Sequence, residues 1–261
     1  MWLAANKMNI DYPIQEVPAT PEYILAVIKD SHRQQCQFDP EAEKDILLTF
    51  DSTIDDWREA CDLLGWRKVA KAMNDWFKTD FSDEQWKVVL EPAKKKNLRG
   101  ICELLATKAK RIEIKPFGNR CVNAGIFLTI RSLLKHAGAN EQIKPSTQIA
   151  PFSRNYIEEF FDGITKIEPG ALPPVKIHTP FYNYSVWAFL LGLVICGAGS
   201  FLNPFIVIFG VCFAAFAYAA IYVAAKSRPT KVEFGSIETF RDLTLIIANA
   251  RKERLLGQCR S

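Results

Sequence analysis

From Tyr184 to Ala225 the chain reads YSVWAFLLGLVICGAGSFLNPFIVIFGVCFAAFAYAAIYVAA, without a single Asp, Glu, Lys, Arg or His. Such a run is too long for a buried core helix. Asn203-Pro204, a turn dipeptide, divides it into two apolar runs of about 20 residues, each able to cross roughly 30 Å of hydrocarbon. The sequence therefore predicts a two-span transmembrane helical hairpin over residues 182–226 with its turn at 200–204. Everything else in the chain must be arranged around that hairpin.

Orientation follows from the flanks, because Lys and Arg are retained on the cytoplasmic side of short loops. Lys166 and Lys176 precede the first span, Lys226, Arg228 and Lys231 follow the second, and the turn has no charge. The expectation is an integral protein of an inner or plasma membrane with both termini cytoplasmic. Tyr182, Tyr184 and Trp187 at the entry and Tyr218 and Tyr222 near the exit suit an aromatic belt. The N-terminus, MWLAANKMNIDYP, lacks the basic start and apolar run of a signal peptide, so insertion is expected to depend on the hairpin.

Small residues four apart, Gly192 with Cys196 and Gly210 with Ala214, would let helix backbones approach closely, and Gly197 and Gly199 lie nearby. Two uses are open: packing the two spans together, or joining hairpins of separate copies in a homo-oligomer. The absence of any ionisable residue at depth argues against transport, since pumps, proton relays and voltage sensors need such a group there.

With 261 residues, 49% hydrophobic and 24% charged, the chain has room for the hairpin and one cytosolic domain of roughly 160 residues with a core of its own. The expected class is mainly α: an irregular arm over 1–19, a multi-helix domain over 20–163, a proline-rich tether over 164–181, the hairpin, and a C-terminal amphipathic helix and tail over 227–261. Thr20-Pro21-Glu22 is a helix start, with a capping hydroxyl, proline at the first position and an acid in the first turn. Further starts are read at Asp39-Pro40-Glu41, leading into Ile46, Leu47 and Phe50, at Thr53 to Asp56, and at Ser82 to Gln85. Apolar residues at helical spacing run from Ile54 to Phe77 with a break at Gly65, and again from Asn97 through Leu105.

A short strand is read at Arg111 to Ile114. Val122 to Leu134, stopped by Gly138, is the most apolar soluble helix, and Phe127 is placed at the centre of the core. Ser153 is read as the cap of a helix bearing Tyr156, Ile157, Phe160 and Phe161. Prolines 169, 173, 174 and 180 predict an extended tether. Ser236 starts a last helix, with Ile237, Phe240, Leu243 and Ile247 on one side, which either docks on the domain or lies on lipid.

Motifs for chemistry are missing. The three histidines, His32, His136 and His178, have no ligand partner at helical or zinc spacing, so no metal is expected. No phosphate-loop or dinucleotide fingerprint is present, Gly197-Ala198-Gly199 lies inside the apolar run where no phosphate loop could work, and no cofactor is expected. Seven cysteines form no C-x-x-C pair and are read as reduced, buried thiols. Asp55, Asp56 and Glu59 sit in a first helical turn, where they favour the dipole. Asp62-Leu63 and the helix ending Met73 to Phe77 loosely resemble the latter half of acyl carrier proteins. Leu63, however, stands in the place of that family's phosphopantetheine-bearing serine, so no prosthetic group is implied.

One charge asymmetry stands out. Lys87 to Arg120 is strongly basic, and Lys94, Lys95, Lys96 and Arg99 are the candidate contacts for anionic lipid headgroups, each contributing on the order of 1 kcal/mol near a charged surface. The competing reading is a solvated or internally paired face. Nucleic acid is disfavoured because the aromatics lie on apolar helical faces rather than among the lysines. The expected function is a non-enzymatic interaction or regulatory module held at the bilayer, with an unidentified cytosolic protein partner. The alternatives are an effector whose hairpins oligomerise to perturb the bilayer, and an enzyme whose site the sequence does not reveal.

Overall fold

The computed structural model describes residues 14–37, 42–61, 63, 65–116, 121–157, 159–178, 180–202, 204–226 and 231–258. It is mainly helical, with two short two-stranded sheets and no closed sheet among the described residues. The chain divides into two compact units, one running to Lys176 and resuming at Phe234, the other Ile177–Glu233.

In the first unit the local signals act where they stand. Thr20 caps α1 (Pro21–Gln35), its hydroxyl accepting from the Tyr23 N–H at 3.3 Å. Thr53 and Asp56 form a reciprocal capping box on α2 (Ile54–Ala60). After Gly65, α3 (Trp66–Phe77) ends on Lys78 in the left-handed conformation, φ 53°. Ser82 and Gln85 box the start of α4 (Asp83–Leu90), and Asn97 caps α5 (Leu98–Ala106). Each helix is too short to persist alone, so the shared burial of one face is what holds them. Ile24, Val27, Trp57, Met73, Trp86 and Ile101 meet in a single core.

Several expectations are corrected. The arm was expected to be irregular, yet Gln15–Pro18 forms strand β1, antiparallel to β2 (Lys110–Glu113), with Val17 opposite Arg111. The expected strand thus has a partner 90-odd residues upstream, a non-local pairing that periodicity cannot announce. Residues 1–13 of the arm lie outside the described residues, as does the helix start at Asp39-Pro40-Glu41. The stretch after it is not helical: Leu48 is buried, while Leu47 is 74% exposed.

The helix expected from Val122 is α6 (Val122–His136), closed by Gly138 at φ 98°. A Cβ on Gly125 would lie 2.0 Å from the Lys115 carbonyl oxygen, so only glycine lets the chain pass there. Phe127 is buried, but the core described above runs from Ala19 to Ala109 and does not include it. Instead α6 packs against the C-terminal helix α10 (Phe240–Gln258). That helix starts at Phe240 rather than Ser236, because Thr239 and Asp242 supply the cap: the Thr239 N–H donates to Asp242 Oδ2 at 2.9 Å and the Asp242 N–H to Thr239 Oγ1 at 3.3 Å. Phe240 meets Phe152 edge-on, centroids 5.3 Å apart. Arg254 Nη2 donates to Glu168 Oε2 at 2.7 Å, and Glu168 is buried.

Ser153 is not a cap. It lies inside α7 (Ala150–Asn155), its hydroxyl donating to the Ala150 carbonyl, and a π-helical turn, Glu159–Ile164, follows. The stretch read as the start of an extended tether is packed: Ile164, Ile167, Leu172 and Val175 are buried. Side chains of α1 hold it, Arg33 Nη2 donating to the Leu172 carbonyl and Gln34 Nε2 to that of Pro173, while the Val175 N–H donates to Gln34 Oε1. Proline here removes donors from a segment whose acceptors are met by side chains.

Strand β3 (Val175–His178) pairs with β4 (Lys231–Phe234). The second unit consists mainly of α8 (Pro180–Leu202) and α9 (Pro204–Lys226).

Candidate functional site

One described helix stretch, Phe205–Val223 in α9, is long and apolar enough to cross a membrane, with mean hydropathy 2.4 and only 17% of its residues buried. In α8 the described apolar part is the shorter Tyr184–Ala198. Asn203, in the predicted turn, lies outside the described residues. The four small residues singled out in the sequence meet pairwise between α8 and α9. A Cβ on Gly192 would lie 2.9 Å from that of Ala214, and one on Gly210 2.7 Å from Cys196 Sγ and 2.9 Å from its backbone nitrogen. Replacing Gly210 with Leu is expected to force the helices apart at a cost of about 1–3 kcal/mol. Slower, expanded gel migration of the full chain would show it; unchanged migration would mean that this face is not a packing face.

The basic run is less uniform than its sequence. Lys94 and Lys95 are exposed on a 3₁₀ turn, Ala93–Lys95, and Lys96 is half-buried. Arg99 is exposed but engaged, its Nη2 3.2 Å from Asp51 Oδ1 and its guanidinium 4.9 Å from the centroid of Phe50. Arg120 lies outside the described residues.

The cleft that concentrates unusual chemistry was not anticipated. About 520 Å³ in volume, it lies between the end of α3, the β1–β2 ladder, the end of α6 and the π-helical turn. Lys166, half-buried, lines it. Its Nζ donates to the Trp76 carbonyl oxygen at 2.5 Å and stands 5.5 Å and 5.6 Å from the ring centroids of Trp76 and Phe77. The Lys166 carbonyl in turn accepts from the Tyr23 hydroxyl at 2.6 Å, fixing the main chain. Burial pulls the ammonium down to about 8, Asp162 opposing the shift and Lys78 adding to it. The Trp76 indole Nε1–H is buried without an acceptor.

The arrangement offers hydrogen-bond donors that protein acceptors only partly meet, in a low-dielectric setting. Sequence reasoning used Lys166 only as a positive flank. A lone lysine between Ile164 and Ile167 was the available signal, since a cation inside an apolar run is costly unless something receives it.

Among the described residues no cluster of three His, Cys, Asp or Glu side chains could hold a metal ion. His32 is buried beside Cys36, Nε2 to Sγ 3.4 Å; His136 Nδ1 lies 2.7 Å from the Ser132 carbonyl oxygen; His178 lies 3.6 Å from Glu233. Cys36, Cys61 and Cys102 are buried, and burial holds the Cys102 thiol up at about 12. No family model, no curated protein and no solved structure matches this chain.

Proposed function

We propose that this chain is an integral membrane protein whose helical unit is an interaction or regulatory module, held on the cytoplasmic face by a two-span hairpin. The observation that carries the reading is the outward face of α9: Phe205, Phe209 and Phe216 are 77%, 62% and 75% exposed, on a helix without Asp, Glu, Lys, Arg or His from Pro204 to Ala225. An apolar surface of that extent is not stable in water and calls for lipid. Tyr184, Trp187, Tyr218 and Tyr222 are exposed as interface anchors would be. The small residues of α8 and α9 are used against each other, which favours an anchor over a bilayer-perturbing effector assembled through that same face.

On this reading Lys94 and Lys95, with Lys96 and Arg99 beside them, face anionic headgroups. In bilayers containing anionic lipid, amide hydrogen exchange over residues 94–99 of the full chain is expected to slow relative to neutral bilayers. The difference should shrink with salt, since charges are screened over about 10 Å at 0.1 M, and vanish when the four residues become Glu. Equal exchange in both bilayers would assign the run to a solvated face. Capture of a stable protein partner by the full chain, without leakage of dye from vesicles, separates the module from the effector.

A further inference from the structure

We propose that the Lys166 cleft binds a small organic anion, whose carboxylate or phosphate oxygens accept hydrogen bonds from Lys166 Nζ and the Trp76 indole Nε1–H. This goes beyond the membrane-module reading and does not depend on it.

The donors come from geometry. An ammonium has three N–H groups, and Lys166 Nζ meets one acceptor, the Trp76 carbonyl. The indole N–H of the same tryptophan is buried with none. Trp76 and Lys166 line the same cleft, with Nζ 5.5 Å from the indole centroid. A buried donor without an acceptor is unfavourable, and a ligand oxygen relieves that cost. The cleft volume, about 520 Å³, falls in the range of small-molecule sites.

The surrounding charges leave the cation exposed to a ligand. From α3, Asp75 is engaged by Lys71 at 2.5 Å, and Lys78 adds a second positive charge. From the ladder, Glu16 pairs with Lys110 at 3.4 Å, and in the turn before it Lys108 pairs with Asp80 at 2.6 Å. From α6, His136 has its Nδ1 committed to the Ser132 carbonyl. The π-helical turn supplies Glu159 and Asp162, of which Asp162 favours the charged form of Lys166. No ion pair to Lys166 closes within 4.0 Å among the described residues. A bound anion adds to the countercharge that Asp162 supplies.

The sign of the pH dependence follows. Lys166 is protonated below about 8, so anion affinity is full below that pH and is lost as pH rises through it; conversely, a bound anion raises the midpoint.

The test is the rate at which acetic anhydride acylates Lys166 in the full chain in detergent, read peptide by peptide as a function of pH. Only the neutral amine reacts. Citrate or inorganic phosphate should raise the titration midpoint by about one unit, slowing labelling at pH 8 roughly fivefold and at pH 7 about tenfold, with other lysines unaffected. Trp76→Phe, which keeps a ring under the amine and removes the N–H, should reduce the protection several-fold and leave the anion-free midpoint in place. Vesicles containing phosphatidate form a separate arm: protection by free anions identifies a soluble ligand, and protection by vesicles alone identifies a headgroup at the same donors. If citrate, phosphate and vesicles all leave the Lys166 midpoint unchanged, the proposal is wrong. Equal protection of wild type and Trp76→Phe would remove the indole from the site.

Discussion

Replacing Trp86 with Ala is expected to cost about 3–5 kcal/mol, enough to unfold most of a marginally stable unit. Trp86 is fully buried in the core formed by α1 to α5, with Phe81 edge-on at 6.0 Å, so truncation leaves a cavity that a rigid set of short helices cannot collapse. Its indole N–H has no partner, which makes the conservative change informative. Trp86→Phe should lose less than half as much, because the smaller ring also removes a buried unpaired donor. Urea midpoints of the full chain in detergent measure both, and a Trp86→Ala midpoint equal to wild type would dissolve the assignment of this core.

Phe127→Ala should also cost about 3–5 kcal/mol, by a different route. Phe127 is 1% exposed on α6, the helix on which α10 packs. Loss of its ring should loosen α10, seen as faster hydrogen exchange over Phe240–Ile247, while exchange over Ile24–Ile28 changes less. Uniform acceleration of both would show a single cooperative core. Because α10 belongs to the same compact unit as α1 to α6, a fragment ending near residue 165 lacks part of the packing, and the full chain is the proper subject of these experiments.

How far the sequence could be read depended on the range of each interaction. Helix starts at Thr20, Thr53, Ser82 and Asn97 are written in residues three apart, and the caps form there. The Gly65 break and the Gly138 stop are equally local. What escaped was non-local. Strand β1 exists because β2 lies beside it, and nothing in Gln15–Pro18 alone distinguishes it from an arm. The prolines of 169–174 suggested an extended tether, but the hydrogen bonds from Arg33 and Gln34 that hold the segment come from more than a hundred residues away.

The site follows the same rule. The spacing of Gly192, Cys196, Gly210 and Ala214 is a local signal, while their close approach in pairs, Gly192 to Ala214 and Gly210 to Cys196, required the two helices together. Lys166 was illegible as a site because Trp76, Tyr23 and Asp162 reach it only in the folded unit.

The proposed membrane anchor is tested most directly by topology. Reporters fused before Met1 and after Ser261 of the full chain should both be cytoplasmic, and a cysteine replacing Ser200, in a background where the native cysteines are changed to Ala, should label from the outer side alone. With basic residues on both flanks and none between, this is the arrangement the charge rule demands. A terminus found outside, or release of the protein from membranes by alkaline carbonate, would contradict a two-span anchor and return Phe205, Phe209 and Phe216 to the surface of a soluble assembly.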